Sequence, residues 1–287
     1  MTYEELLEKA DIDGFSSTTR RLLTEVTADI TLLAAGRNIP DSEYLTIADG
    51  IHSLGVLEDT RGGPSIEDYF ELQGFGHFKE CYYLSPNFVI KFCAERNPTL
   101  EEAKLLSDAY ENGFEDLFLP SKYHELPFPL PSDNLEKEDD DQEVYDEDQG
   151  QWVDNPEWHD NTVLTHICIQ PQVISAERFY ADPSTDNTYN KPVDAECNCG
   201  SKHSWEITRT ELGLPEDAWY ADYRGLNGLC LIWARDFIKR FGVARLKMFS
   251  HFCEEFHVWD LHGENVGYTL PGADGTRYPI ILDWMSR

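Results

Sequence analysis

The fold of this chain is decided by residues 69–92, which read YFELQGFGHFKECYYLSPNFVIKF. Three runs rich in aromatic and aliphatic residues are separated by a glycine turn, Gly74-Phe75-Gly76, and by a tight turn, Ser85-Pro86-Asn87. Such runs with turn residues between them are typical of strands joined by hairpins. The stretch therefore predicts three strands in an antiparallel meander.

The third of these strands carries a lysine. Alternation along the strand puts Val89 and Lys91 on one face. A lysine held inward needs an acidic partner, because an unpaired buried charge is costly. The next helix is expected to begin with Thr99 as its N-cap and Glu102 three residues on, the spacing of a capping box. Glu102 is the predicted partner of Lys91.

Upstream of the meander, residues 1 to about 60 have apolar side chains at helical spacing. Ser16-Ser17-Thr18 offers an N-cap before the second helix. Arg61-Gly62-Gly63-Pro64 is a turn signal and marks a boundary. We therefore expect an N-terminal helical extension over residues 1–62.

Downstream of the meander, residues 133–148 form an acidic run with ten carboxylates and one lysine. Such a run repels itself, so it predicts a disordered loop or a hairpin tip. It would be an insertion between two strands, the second of which is Val163–Ile169. The sheet with this acidic insertion is expected to occupy residues 63–174.

The last part of the sequence predicts mainly helices. Residues 175–225 are rich in Asp, Pro, Asn and Cys and predict irregular structure. Residues 226–256 have helical periodicity interrupted near Gly242, which predicts two helices. Short apolar runs then alternate with a polar turn and a loop between residues 258 and 283. Residues 175–287 would form this second, helical part, and the chain as a whole is expected to be α+β.

Composition limits the classes of function. The apolar content of 41% is that of a globular chain, and the formal charge of −31 argues against direct nucleic-acid binding. About −22 of this charge lies outside the acidic run. The charge favours a basic protein as partner or substrate; simple dispersion by surface carboxylates and electrostatic mimicry of nucleic acid are the alternatives.

Sequence signals for a membrane or for secretion are also weak. No window approaches 18 consecutive apolar residues, and the N-terminus is acidic and amphipathic, unlike a signal peptide. Seven scattered cysteines do not make a disulfide scaffold. We therefore expect no membrane association and a reducing, cytoplasmic location.

Two sets of residues could serve a nucleotide. Gly74 and Gly76 let backbone amides approach a triphosphate without an intervening Cβ, and Phe78 could cap the phosphates.

Near the other end of the sequence, Asp260, Asn265 and Asp283 offer oxygen ligands of the kind that Mg²⁺ prefers, and a carboxylate that could act as a base.

The order of these elements resembles that of the protein-kinase superfamily, including its aminoglycoside and choline phosphotransferase relatives. The resemblance runs from about Ile66 to Trp284 and rests on five segments: Gly74-Phe75-Gly76-His77-Phe78 for the glycine-rich loop, Val89-Ile90-Lys91 for the third-strand lysine, Glu102 for the glutamate helix, Asp260-Leu261-His262-Gly263-Glu264-Asn265 for the catalytic loop, and Ile281-Leu282-Asp283-Trp284 for the metal-binding motif. It implies a two-lobed fold with an antiparallel N-lobe sheet and a minimal helical C-lobe.

The resemblance also implies roles for these residues, with ATP and Mg²⁺ as cofactors. Lys91 would hold the α- and β-phosphates and be oriented by Glu102, while Asp260 would accept the proton of the acceptor hydroxyl. Asn265 and Asp283 would bind Mg²⁺. The remaining residues implied to contact ATP are Gly74, Gly76, Phe78 and Val89.

The sequence departs from ordinary protein kinases in several places. Lys79 replaces the third glycine, Val258-Trp259 stands where a His-Arg pair is expected, and Trp284 stands where Phe-Gly would follow. His262 resembles the phosphotransferase and haspin-like branches. No activation segment or Ala-Pro-Glu motif follows Asp283 in the sequence, so an ordinary protein kinase is not expected.

Three functions are compatible with these residues. The first is an atypical, compact phosphotransferase that acts on a hydroxyl of a protein or a small molecule. The second is a pseudokinase that works as an interaction protein through its acidic surface. The third is an acidic mimic or inhibitor that occupies a basic groove on another protein. The phosphotransferase is favoured, because a protein that only binds partners would have little physical reason to keep all five of the groups that serve ATP and Mg²⁺. These are Lys91, Glu102, Asp260, Asn265 and Asp283.

A Cys-x-Cys segment admits two readings. Cys197, Cys199 and His203 could bind zinc, but their spacing is unusual and a fourth ligand is not evident. An ordinary loop is the preferred interpretation.

Overall fold

The structure is a computed structural model that describes residues 1–59, 65–75, 79–94, 96–132, 134–135, 143–146, 151–154, 162–182, 192, 194–272, 275–283 and 285–286. Side chains are described for all of these except residues 59, 96–100, 143–146, 151–154 and 285–286. The chain divides into two compact units, Met1–Leu100 with Ser121–Pro171 and Glu101–Pro120 with Gln172–Arg287. The chain is of mixed α/β type.

The first unit contains a five-stranded antiparallel sheet in the order β1-β2-β3-β7-β4. Its strands are β1 (Glu71–Phe75), β2 (Lys79–Ser85), β3 (Phe88–Cys93), β4 (Lys122–Pro131) and β7 (Val163–Pro171). The predicted meander is confirmed, since β1, β2 and β3 pair in sequence order. At the end of the acidic run, β5 (Glu143–Asp146) pairs antiparallel with β6 (Gln151–Asp154), which follows the run, in a separate two-stranded sheet.

Three N-terminal helices belong to the same unit as this sheet: α1 (Tyr3–Ala10), α2 (Ser17–Ala34) and α3 (Asp41–Val56). The predicted N-cap is confirmed, because the Ser16 side chain accepts a hydrogen bond from Thr19 N. Apolar side chains of the helices form one core with the sheet face that carries Tyr82, Ile90 and Phe92. The helices therefore cover the face of the sheet opposite to Lys91.

A buried carboxylate fixes the turn between β2 and β3. Glu43 on α3 accepts hydrogen bonds from Ser85 Oγ at 2.7 Å, from Asn87 N at 2.9 Å and from Asn87 Nδ2 at 2.8 Å. Because these donors belong to the predicted tight turn, the helix holds the turn that leads into the lysine strand.

We expect Glu43→Ala to lower the free energy of unfolding by about 2–3 kcal/mol, because the donors in the turn lose a charged acceptor. The midpoint of urea unfolding measures the change. Asp49→Ala, at an exposed position on the same helix, is the matched control and should change stability by less than about 0.5 kcal/mol. Equal effects of the two substitutions would mean that the turn does not depend on Glu43.

The second unit is mainly helical. Its helices are the greater part of α4 (Arg96–Glu111), together with α5 (Ala176–Ala181), α6 (Lys202–Leu212), α7 (Leu231–Phe241) and α8 (Val243–Glu255). Its strands are β8 (Val173–Ser175), β9 (Val258–Trp259), β10 (Val266–Thr269), β11 (Pro279–Ile281) and β12 (Met285–Ser286). They pair antiparallel as a small sheet, β11-β10-β8, and as a separate pair, β12-β9.

Several expectations for these helices can be compared with the structure. The predicted break at Gly242 is confirmed, since this residue has φ +85° and separates α7 from α8. The expectation of irregular structure over residues 175–225 is wrong for Ala176–Ala181 and Lys202–Leu212, which form α5 and α6 with N-caps at Ser175 and Ser201. Residues 183–191 of this range lie outside the described residues. Thr99 is not an N-cap, because α4 begins three residues earlier, at Arg96.

Aromatic side chains fill the core of the second unit. Trp233 and Phe237 on α7 contact Phe249 on α8, with ring centroids at 6.4 and 5.8 Å. Phe249 also contacts Phe114 and Phe118, with ring centroids at 5.8 and 6.4 Å.

Among the described residues, no helix combines the length and the apolar character that crossing a membrane requires.

Candidate functional site

The ends of four short strands bring together three residues that are distant in sequence. In the β10–β11 hairpin Val266 lies opposite Ile281, so the residue before β10 and the residues after β11 are neighbours. Asn265 O accepts hydrogen bonds from Leu282 N at 2.9 Å and from Asp283 N at 3.2 Å.

A second strand pair supports the same arrangement. Trp259 in β9 pairs with Met285 in β12. Asp260 directly follows β9, and Asp283 lies two residues before β12. The structure therefore brings Asp260, Asn265 and Asp283 to one place in the second unit, although their roles stay predictions.

The side chain of Asn265 holds Asp260. Asn265 Nδ2 donates to the backbone O of Asp260 at 2.8 Å and to its Oδ2 at 3.1 Å. The Asp260 side chain is 32% exposed to solvent. Its carboxylate is thus oriented by an amide while it stays accessible to another molecule.

The backbone of Asp260 is in an uncommon conformation. It has φ +65°, and another residue with positive φ, His257 at +53°, lies at the opposite end of β9. L-residues other than glycine rarely adopt this region, although Asp and Asn do so more often than most. Such residues are held in place by surrounding structure and occur preferentially at functional sites.

A histidine and two glutamates border this loop. His262 Nε2 lies 3.2 Å from Asn265 Nδ2 and 3.6 Å from Asp260 Oδ1. Glu177 on α5 donates its backbone N–H to Gly263 O at 3.0 Å. The pKa of Glu177 is raised mainly by a hydrogen bond with the Glu264 carboxyl and, to a lesser extent, by electrostatic repulsion from the same carboxylate. The sequence does not point to Glu177, because the residue lies in a segment whose composition predicts irregular structure.

The donor set fits Mg²⁺ better than a transition metal. Two carboxylates and one amide, at Asp260, Asp283 and Asn265, are hard oxygen donors, and Mg²⁺ commonly binds through one or two carboxylates while keeping several waters. Across the described residues, no group of three or more His, Cys, Asp or Glu side chains is placed to hold a metal ion.

The first unit positions the lysine. Gly74 lies opposite Cys81, Cys81 opposite Lys91, and Lys91 opposite Cys168, in one row across four strands. Residues directly opposite in a sheet share a face, so this row lies on the face away from the helices. β1 contains a bulge just before Gly74, and a Cβ added there would meet no atom within 4 Å.

The remaining nucleotide candidates have different outcomes. Val89 is buried on the same face as Lys91, two positions along β3, as the alternation predicted. Glu102 on α4 is buried, with 8% of its surface exposed, but it belongs to the other unit, so its pairing with Lys91 stays a prediction. Gly76 and Phe78 lie outside the described residues.

The cysteine segment has little of the character of a zinc site. Cys197 and Cys199 are buried, whereas His203 is exposed on α6. Burial raises the pKa of the Cys199 thiol to about 12 and that of Cys197 well above its usual value. Burial therefore favours the neutral thiols in the metal-free chain, and a metal ion would have to displace both protons on binding.

The chain matches no protein-family model, no curated protein and no solved structure.

Proposed function

We propose that the chain is an atypical, compact phosphotransferase that uses ATP and Mg²⁺ and acts on a hydroxyl of a protein or a small molecule. The observation that carries the proposal is the convergence of Asp260, Asn265 and Asp283 at the ends of β9, β10 and β11. A base and two metal ligands are the groups that phosphoryl transfer requires at one place.

The order of elements supports a two-lobed, protein-kinase-like fold, with residues 63–174 as N-lobe and residues 175–287 as C-lobe. In protein kinases the ATP-binding lysine lies on the third strand, and its glutamate partner lies on the helix that follows. Lys91 lies on β3, and α4 with Glu102 lies between β3 and β4 in sequence. The catalytic-loop spacing from Asp260 to Asn265 is followed by a hairpin that ends before Asp283.

The chemistry follows from these positions. Lys91 binds the α- and β-phosphates, and Asn265 with Asp283 binds the Mg²⁺ that neutralises the charge of the triphosphate. Asp260 accepts the proton of the attacking hydroxyl. Catalysis of this kind consists mostly of positioning and of electrostatic stabilisation.

The net charge of −31 makes the metal essential to this proposal. ATP is itself an anion, so the field of the protein opposes its approach. Mg²⁺ reduces that opposition, because a divalent cation neutralises part of the charge of the phosphates. Binding of ATP should therefore depend strongly on Mg²⁺.

We expect wild-type protein to bind Mg-ATP in a calorimetric titration and Asp283→Ala to bind it about 10–100-fold more weakly, because a metal ligand is lost. Without Mg²⁺ the two proteins should bind ATP equally weakly. Asp217→Ala, at an exposed position in the same unit, is the control and should bind as wild type does.

Lys91→Met and the double variant extend this experiment. If Lys91 binds the same nucleotide, Lys91→Met will also weaken Mg-ATP binding, and the double variant will bind more weakly than either single variant. An unchanged affinity in Lys91→Met would separate the lysine from the metal site. If wild-type protein does not bind ATP at millimolar concentration, the proposal of a phosphotransferase is wrong.

A second candidate is a pseudokinase that binds a basic protein through its acidic surface. The charge of −31 favours it, since most of this charge lies outside the acidic run. Binding of Mg-ATP without phosphate transfer to any basic polypeptide would support this candidate over the enzyme.

A further inference from the structure

A partly buried polar cluster lies next to β10, the strand that begins directly after Asn265. Asp236 Oδ2 on α7 accepts hydrogen bonds from Tyr268 OH at 2.8 Å and from Tyr180 OH, and the two hydroxyl oxygens are 3.0 Å apart. Lys239 Nζ binds the other carboxylate oxygen, Oδ1, at 2.7 Å. One carboxylate thus joins three elements, α5, α7 and β10.

Both tyrosines keep their protons at neutral pH. Burial raises the pKa of Tyr268 and of Tyr180 above the usual value, and the neighbouring Asp236 carboxylate raises both further. Their hydroxyls therefore stay hydrogen-bond donors, and the cluster persists across the physiological range. A directional contact of this kind fixes position more narrowly than apolar packing of the same rings would.

Helix α7 holds β10 at two successive residues. Trp233, one turn before Asp236, donates Nε1–H to Gly267 O at 2.9 Å, and Asp236 binds Tyr268. β10 begins at Val266, directly after Asn265. A shift of β10 along its neighbours would therefore move Asn265 with it.

Asp236 is also connected, through helix α5, to the loop of residues 260–265. Tyr180 lies on α5, and the Phe179 ring next to it packs on Tyr268 with centroids at 4.6 Å. The first turn of α5 holds Gly263 through the backbone of Glu177 at 3.0 Å. Asp236 is thus connected to Gly263 through α5 and to Asn265 through β10.

We infer that Asp236 is a positioning residue that sets the geometry of Asn265 for Mg²⁺, acting through Tyr180 and Tyr268. This inference rests on the proposed function. Partners that hold a metal ligand in place typically change metal affinity by about 10–100-fold when they are removed. Asp236 contacts neither metal nor substrate in this proposal, so it is not a catalytic residue.

The test measures the Mg²⁺ concentration that gives half-maximal ATP binding, in the full chain. We expect Asp236→Ala to raise this concentration about 10-fold while leaving metal-free ATP binding unchanged. Asp236→Asn keeps an oxygen that can accept from the two hydroxyls but loses the charge, so it should lie between Asp236→Ala and wild type. Asp222→Ala is the matched control, because Asp222 is exposed to a similar degree (31% against 24%) and also pairs with a lysine, Lys247.

Tyr268→Phe gives the same information if Asp236→Ala does not fold. It should raise the Mg²⁺ requirement above that of wild type; where Asp236→Ala does fold, the effect of Tyr268→Phe should be the smaller one, and the two effects should not be additive. A lower melting temperature with an unchanged Mg²⁺ requirement would mean that the cluster is structural only, and would overturn the inference. Failure of wild type to bind Mg-ATP would instead overturn the proposed function, and the inference with it.

Discussion

Replacement of Asp260 by Asn is expected to lower phosphoryl transfer about 10³-fold while Mg-ATP affinity stays within about threefold of wild type. The amide of the new side chain has nearly the same shape as the carboxylate and keeps an oxygen that can accept from Asn265 Nδ2, which lies 3.1 Å from Asp260 Oδ2. What it loses is the ability to take a proton from the acceptor hydroxyl.

Two readouts measure this effect without a known acceptor. Phosphate release from ATP reports transfer to water, and incorporation of labelled γ-phosphate into the protein reports transfer to its own hydroxyls. Calorimetry with Mg-ATP provides the binding arm, in which Asp260→Asn should resemble wild type and differ from Asp283→Ala. Equal rates for Asp260→Asn and wild type would show that Asp260 is not the base, even if ATP binds.

The features that could be predicted from the sequence are those with local signals. The meander follows from turn residues between short apolar runs, and the face of Lys91 follows from alternation along β3. The junction of α7 and α8 follows from Gly242, whose φ of +85° suits glycine. Each of these depends on a few neighbouring residues, so the pattern and the structure agree.

The features that could not be predicted depend on contacts between distant residues. Nothing near Glu43 in sequence shows that its carboxylate holds Asn87, 44 residues away. Likewise, Asp236 reads as an exposed residue of an amphipathic helix, and its two tyrosines lie 56 and 32 residues away. The N-terminal helices carry no signal that they share a core with the sheet.

The candidate site lies between these two cases. The motif residues Asp260, Asn265 and Asp283 could be selected by type and spacing, and the strand pairings bring them together. Their supports could not be selected, because Trp233, Tyr180 and Tyr268 resemble ordinary core residues in sequence. The supports matter energetically, since a metal ligand that is out of position binds its metal weakly.

The backbones of β8 and β10 approach each other closely at Gly267. We therefore expect Gly267→Ala to lower the free energy of unfolding by about 3–4 kcal/mol. A Cβ at this position would lie 2.1 Å from Ile174 O and 2.8 Å from Ser175 Cα. Both are backbone atoms of β8, which pairs with β10 here, so no side chain can rotate away to make room. The strands must separate, and that movement also disturbs the Gly267 O contact with Trp233.

Urea unfolding followed by circular dichroism measures the loss, with Gly200→Ala as the matched control. A Cβ at Gly200 would meet only the side-chain oxygens of Asn198 and Asn227, each at 3.8 Å, which is an ordinary contact. The control should therefore change stability by less than about 0.5 kcal/mol. If Gly267→Ala is as stable as this control, β8 and β10 are not packed as closely as the structure indicates. Asn265 would then lack the rigid strand on which the proposed metal site depends.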